Sequence, residues 1–401
     1  MERCLSLWWI YPHSGNSILW VKQGNFVGAS KMVRKERVKL LHQKRQLDWW
    51  IAGLAIFIAL FGLLMVFESS NVTAFKDFGN QYHFVREQFI NFLVGMVGMF
   101  VTFMIPYKKY YNWSVIFMLV TIAALIAVFI PGIGVRALGA HRWIGIGSIF
   151  NFQPAELAKL TLIFYLSAWF SSKEKGRFTA FLLLLFLVVG LIIVQPDLGT
   201  AIIVTCIAVA MYFLSGASIL HFILLVPATV LSVVILAISS PYRFRRLTTF
   251  LNPSIDPLGA SYHIRQILIS LGSGGWFGVG LGSSTQKYQF LPEATTDSIF
   301  AIIGEEFGFI GAMIFIGVYL FFLYKIYQVV RNAPDKHSFL LASGILAFFG
   351  FQAAINLGAI VALLPLTGVP LPFVSFGGSN LIVSLAAVGI ILNINRHISS
   401  K

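Results

Sequence analysis

Residues 298–330 read SIFAIIGEEFGFIGAMIFIGVYLFFLYKIYQVV, and this run decides the fold. It is apolar for longer than the roughly 20 residues a helix needs to cross a bilayer, and its only charged side chains are Glu305, Glu306 and Lys325. Working outward, comparable runs lie at Trp49–Phe67, Phe89–Ile105, Trp113–Ile130, Leu157–Phe170, Ala180–Val194, Leu198–Leu214, Ile219–Ile238, Phe339–Leu364 and Leu381–Ile394. Differences in length are absorbed by tilt and kinks. Composition agrees: 58% of residues are hydrophobic and 11% charged, so the solvent is lipid. The expected fold is therefore an all-α polytopic membrane protein of about ten transmembrane helices.

Charge sets the orientation. Arg34, Lys35, Arg37, Lys39, Lys44 and Arg45 precede the first span, Lys108 and Lys109 follow the second, and Lys173, Lys175 and Arg177 follow the fourth. Lys325, Arg331 and Lys336 fall at or after the end of the eighth, and Arg396 and Lys401 after the tenth. With alternating spans all of these lie on one side, which places both termini in the cytoplasm. The net charge of +14 thus reflects topology and anionic lipid, not nucleic acid. The two cysteines, Cys4 and Cys206, form neither a disulfide framework nor a metal site. Residues 1–48 read as a cytoplasmic segment, 49–395 as the transmembrane domain and 396–401 as a cytoplasmic tail. Residues 1–31 lack a span or signal sequence, and Met32 is the expected start.

One connection departs from the charge rule. Between the seventh and eighth spans, Ser240–Asp297 is a large extracytoplasmic loop carrying Arg243, Arg245, Arg246, Arg265 and Lys287. Loops beyond about 15 residues are usually functional or disordered, and arginine pairs bidentately with phosphate. An anionic ligand at the outer leaflet accounts for this charge; a solvated basic loop is the plainer alternative. Gly278, Gly280 and Gly282 imitate a nucleotide loop, but no strand precedes them.

Ionisable residues in or beside spans are costly and mark function. Glu156 and Lys159 share a helix face in NFQPAELAKL and can pair. Asp197 sits in QPDLGT, and Asp297 ends LPEATTD with Glu293 four residues before it. Both aspartates precede a helix, so capping is the structural alternative for each. The topology gathers Glu156, Asp197, Asp297 and the basic loop at the outer surface. The breaker-rich segment Pro365–Asn380 is expected to re-enter there and wall the same cleft.

The runs RWIGIGSIFNFQPAELAK, QPDLGTA, YRFRRLTTFLNP, LGSGGWFGVGLGSSTQKYQFLPEATTDSIFAIIGEEFGFIG and LPLTGVPLPFVSFGGSNLI occur in this order. Together they resemble the SEDS family of FtsW, RodA and SpoVE, over nearly everything after Met32. The resemblance implies a ten-helix fold and a peptidoglycan glycosyltransferase that polymerises lipid II beside a class B penicillin-binding transpeptidase. It matches Asp297 to the family's essential aspartate, and Glu156 and Lys159 to its span-four motif. Arg142, within the first run, and Ser375, within the last, join the supporting set. SSTQKYQFLPE and IFAIIGEE are closer to FtsW, whereas TGVPLPF leans to RodA. Thr295, Ser298, Phe376 and Asn380 depart from the family pattern.

The implied chemistry is attack by a lipid II sugar hydroxyl on the anomeric carbon of an undecaprenyl-linked glycan, with Asp297 as general base. Arg243, Arg246, Lys287 and Lys159 are candidates to stabilise the leaving diphosphate, as is a divalent cation. The rival readings are a RodA-like polymerase for elongation, a lipid II flippase and a scaffold that only recruits its transpeptidase.

Overall fold

The structure, a computed structural model, describes residues 48–398 apart from 138–139, 147–149, 173–176, 240, 252–260 and 287–290. The proposed upstream extension, most of the 1–48 segment and residues 399–401 of the tail lie outside the described residues.

Each apolar run forms a helix. In chain order these are α1 Trp50–Phe78, α2 His83–Met104, α3 Tyr107–Ala127, α4 Pro154–Ser171, α5 Phe178–Val194, α6 Leu198–Leu214 and α7 Ile219–Ile238. The long connection adds α8 Pro241–Leu251 and α9 Tyr262–Ser273, and α10 Ile299–Arg331, α11 Lys336–Ile360 and α12 Gly378–Arg396 complete the order. Helices α1, α2, α3, α7, α10, α11 and α12 are long and apolar enough to cross a membrane, and α5 and α6 are apolar but shorter. The chain is a mainly helical, multi-pass membrane protein. Its lipid-facing surface is visible as exposed Phe100, Val120, Phe186, Ile223, Ile314 and their neighbours.

The all-α expectation needs one addition. Between α3 and α4 lies a three-stranded antiparallel sheet, β1 Gly134–Ala137, β2 Ala140–Ile146 and β3 Phe150–Phe152. Its register pairs Val135 with Trp143 and Ile144 with Phe152. These are the β-branched and aromatic residues that favour strands.

Hydrogen bonds identify two ends of the bundle. One gathers α10 and the start of α1 (Lys325 Nζ to Asp48 Oδ2, 3.0 Å), and α3 with α12 (Tyr107 N to Asn393 Oδ1, 2.8 Å). The other carries the sheet, α8, α9 and the segment between α11 and α12. That last segment is non-helical through residues 361–377, yet Val369, Leu371, Phe373, Val374 and Ser375 are buried. A Cβ at Gly62, midway along α1, would meet the Phe373 carbonyl at 2.5 Å. The segment therefore dips back into the bundle, where its polar backbone must find partners among side chains.

The long connection is ordered by a break in α10. Gly308 has φ +67° and ψ −170° inside that helix, which frees carbonyls before it and N–H groups after it. The glycine-rich strap 274–280 supplies their partners: Val279 N and Gly280 N donate to the Glu305 and Glu306 carbonyls (3.0 and 3.1 Å), while Phe309 N and Ile310 N donate to the Gly275 and Trp276 carbonyls (2.9 and 3.1 Å). The backbones approach so closely that a Cβ at Gly278 would overlap the Glu306 carbonyl. These glycines hold a helix break, not a nucleotide.

Candidate active site

Asp297 immediately precedes α10 and is 9% exposed. The N-cap of that helix is Ser298, and its side chain makes no capping bond. Capping, the structural alternative for Asp297, is therefore not what this carboxylate does. Its Oδ1 lies 3.4 Å from Thr296 Oγ1, a weak contact, and its Oδ2 faces Gly368 of the re-entrant segment. Burial pushes the carboxyl up to about 7, helped by the negative charge of Glu293 and opposed by Arg246. Glu293 itself is exposed, at a left-handed φ of 52°, and accepts Thr296 Oγ1 at 2.8 Å.

Helix α8 brings Arg246 to this place, where Nη1 donates to the Leu366 carbonyl at 3.1 Å. Helix α9 brings His263, whose Nε2 lies 2.8 Å from Ser298 Oγ. Burial and the Arg246 charge hold that imidazole down to about 4. A cationic arginine and a carboxyl poised near neutrality thus face the segment 366–376, with a neutral histidine bonded to Ser298 next to that carboxyl.

That segment is the hub onto which the other candidates converge. Asn356 of α11 donates through Nδ2 to the carbonyls of Asp297 and Val369, both at 2.8 Å. One turn back, Gln352 donates to the Pro370 carbonyl (2.9 Å) and accepts Lys159 Nζ (2.6 Å). Lys159 Nζ also bonds both oxygens of Glu156, at 2.8 and 2.9 Å, and Glu156 accepts Asn380 Nδ2 at 2.7 Å. Glu156 and Lys159 are 2% and 0% exposed. A continuous chain of bonds therefore runs from Asn380 through the ion pair to the segment that Asp297 faces.

Several candidates prove to be positioned otherwise than a ligand contact requires. Lys159 is enclosed and engaged with Glu156 and Gln352, and through Gln352 it braces the re-entrant segment. Ser375 Oγ accepts Leu371 N at 2.8 Å and closes a turn within that segment. Asp197 is a cap: it accepts Thr200 N at 3.1 Å, Thr200 Oγ1 at 2.9 Å and Gln153 Nε2 at 3.0 Å. Arg142 on β2 donates to the Gln195 carbonyl at 3.1 Å and to that of Pro196, fixing the turn before Asp197. Even so, α6 reaches the hub, because a Cβ at Gly199 would meet the Thr367 carbonyl at 2.7 Å. The Arg243 side chain and Lys287 lie outside what the structure describes.

The profile of the cell cycle protein family comprising FtsW, RodA and SpoVE matches residues 48–400. The chain belongs to the FtsW/RodA/SpoVE family. It is 37% identical to stage V sporulation protein E of Bacillus subtilis over 88% of this chain and 98% of that protein. It is also 37% identical to a probable peptidoglycan glycosyltransferase FtsW of Trichlorobacter lovleyi, over 85% of this chain and 91% of that one. Among solved structures, a chain of a peptidoglycan synthase complex, described for its coordination of polymerization and crosslinking, superposes with a TM-score of 0.73 at 26% identity. RodA of Thermus thermophilus superposes at 0.66 and 26%, and both comparisons cover 89% of this chain and 99% of the other.

In this FtsW/RodA/SpoVE protein the residues that sequence reasoning passed over include the uncharged Gln88, Gln153, Gln352 and Asn356. Gln88 donates to the Ser375 carbonyl and accepts Gly377 N, each at 3.2 Å. Gln352 and Asn356, four residues apart inside an apolar run, carried a usable signal, since buried amides in membrane helices need partners. Glu305 was noticed but is structural. It accepts Ser270 Oγ, Ser284 Oγ, Thr285 N and Thr285 Oγ1 at 2.6–3.2 Å and ties the long connection to α10.

Proposed function

We propose that this protein is a peptidoglycan glycosyltransferase that polymerises lipid II into glycan strands in the manner of FtsW, with Asp297 as its general base. The observation that carries the assignment is a buried carboxylate at the head of α10 that caps no helix, sits beside Arg246 and is poised near neutrality. A base must ionise at working pH and still bind a proton in the transition state, and a carboxyl near 7 does both. The curated relatives named FtsW support a division role.

In the reaction, the 4-hydroxyl of an incoming lipid II attacks the anomeric carbon of the growing chain. Its proton passes to Asp297, the new glycosidic bond forms, and undecaprenyl diphosphate leaves with the bonding electron pair. Arg246 is the described cation placed to offset the charge developing on that diphosphate. Asp297 and Glu293 offer two carboxylates to a divalent cation, the number Mg²⁺ commonly takes alongside substrate phosphates and water. When bound, such an ion would neutralise the diphosphate.

The basic end of the bundle faces the cytoplasm of the inner membrane, all ten apolar helices cross, and Asp297 faces outward, where lipid-linked sugars meet a class B transpeptidase partner. The test is glycan-chain formation by purified protein supplied with lipid II. Wild type polymerises, while Asp297→Asn folds, binds substrate and does not. Near-normal polymerisation by a stable Asp297→Asn variant removes the base assignment, and transbilayer movement of lipid II without polymerisation replaces it with the flippase reading.

A further inference from the structure

The connection between α7 and α10 carries charged side chains on both sides of residues 266–286, but that stretch, QILISLGSGGWFGVGLGSSTQ, contains none. Arg265 and Lys287 bracket the stretch. An aqueous loop has no reason for such composition, and the structure gives it no aqueous behaviour. Its strap is hydrogen-bonded to the α10 backbone on both sides of Gly308. Gly282 N donates to Glu306 Oε1 at 3.1 Å, and Ser270, Ser284 and Thr285 bond Glu305. These backbone and hydroxyl groups are thus tied inward to α10, which is the condition for backbone to lie at membrane depth.

The side chains point the other way. Trp276 is 68% exposed, Phe277 83% and Leu281 51%, with Leu268 and Ile269 also exposed. This patch continues onto the lipid-facing surface of α10. Trp276 meets Phe309 edge-on at 5.4 Å, and Phe309, Ile310 and Ile314 are exposed beyond it. The depth follows from the same helix. Between Glu306 and Lys325 α10 carries no charge, a stretch of about 27 Å at 1.5 Å per residue, close to the ~30 Å hydrocarbon thickness. The strap bonds to the first turn of that stretch, level with the acyl boundary, where aromatic residues concentrate.

We propose that residues 266–286 are an interfacial anchor whose Trp276, Phe277 and Leu281 insert among the phospholipid acyl chains of one leaflet. Arg265, exposed at the start of the stretch, meets the headgroup phosphates. The segment from Ile299 to Gly308 then acts as a spacer of about 14 Å, holding Asp297 at the height of a headgroup-linked sugar. The insertion itself depends on the chain crossing a bilayer and not on the reaction assigned above.

The experiment places a nitroxide label at Phe277→Cys, and separately at Leu281→Cys, in a Cys4→Ser, Cys206→Ser background. The purified chain alone is reconstituted into vesicles of palmitoyl-oleoyl phosphatidylcholine and phosphatidylglycerol. Ile314→Cys serves as the lipid-facing reference and Asp77→Cys as the aqueous one. The anchor predicts collisions with molecular oxygen several-fold above those with a nickel chelate at both sites, as at Ile314. Chelate collisions matching Asp77 place the strap in water and overturn the proposal. Exclusion of both reagents means protein covers the patch, a second copy or a neighbouring helix, and overturns it equally.

Discussion

The side-chain amide of Asn356 holds the backbone of Asp297 against that of Val369, with one nitrogen 2.8 Å from both carbonyls. Asn356 is 2% exposed, so no water replaces it when it is lost. Asn356→Ala leaves two buried acceptors without a donor, at a cost of about 1–3 kcal/mol. Asn356→Asp sets a carboxylate against them and is worse. Because a small displacement of a catalytic group is expensive, polymerisation by Asn356→Ala should fall about 100-fold. Steady-state glycan synthesis beside a thermal melt checks both effects; unchanged turnover would mean that the bond positions nothing.

Glu156 and Lys159 form an ion pair in which each partner has a further commitment, Glu156 to Asn380 and Lys159 to Gln352. Exchanging the two charges therefore does not restore the arrangement, since Gln352 already turns its donor toward Pro370. Lys159→Met alone strands a buried carboxylate, and about 3–5 kcal/mol of stability goes with it. The neutral pair Glu156→Gln with Lys159→Met should recover most of that stability, but not the position of the re-entrant segment. Melting temperatures of the single, exchanged and neutral variants separate these outcomes.

Much of this fold was readable because lipid imposes so few solutions. Runs such as Ile219–Ile238 are apolar apart from His221, Thr229 and Ser232, and structure and sequence agree there to the residue. Leu198–Leu214 agrees likewise, whereas other boundaries shifted where polar residues continue a helix: α1 runs on through Glu68 and Asn71 to Phe78. Charged groups drew attention to Asp297, Glu156 and Lys159 because an ionisable side chain beside a span is conspicuous. The amides that connect them, Asn356 above all, escaped because a neutral polar residue looks unremarkable until its partners are known. The sheet was missed for a different reason. Short strands such as Phe150–Phe152 have too little periodicity to separate from the neighbouring spans.

Gly308 and Gly278 meet backbone to backbone, and both have positive φ, +67° and +83°. Alanine at either position incurs left-handed strain of about 1–3 kcal/mol before any clash is counted. A lipid-facing glycine with ordinary φ, Gly317, has nothing within 4 Å of its built Cβ and provides the control. Gly278→Ala and Gly308→Ala should each lower the melting temperature and cut polymerisation, whereas Gly317→Ala does neither. A stable, active Gly308→Ala variant would mean that α10 straightens without consequence.

The last expectation concerns protons at Asp297. The groups in electrostatic reach are Glu293 on its own segment and Arg246 on α8; His263 on α9, held down to about 4, stays neutral through the working range. A base with its carboxyl at about 7 gives a rate that falls on the acid side with a midpoint near that pH. Removing a neighbour moves the midpoint in the direction of the lost charge. Glu293→Gln lowers it, because a negative charge that disfavoured ionisation is gone, and Arg246→Met raises it. Stability runs oppositely to activity. The carboxyl is raised in the folded state, so its contribution is fully present below the ordinary carboxylate range and is lost as pH rises through about 7. Wild type should therefore lose stability relative to Asp297→Asn as pH rises from below the ordinary carboxylate range to above about 7, on the order of 4 kcal/mol across that whole window for a shift of about three units. Rate profiles of the three active proteins, with paired melts of wild type and Asp297→Asn, test both signs. Midpoints that move together in Glu293→Gln and Arg246→Met would show that the limb belongs to another group.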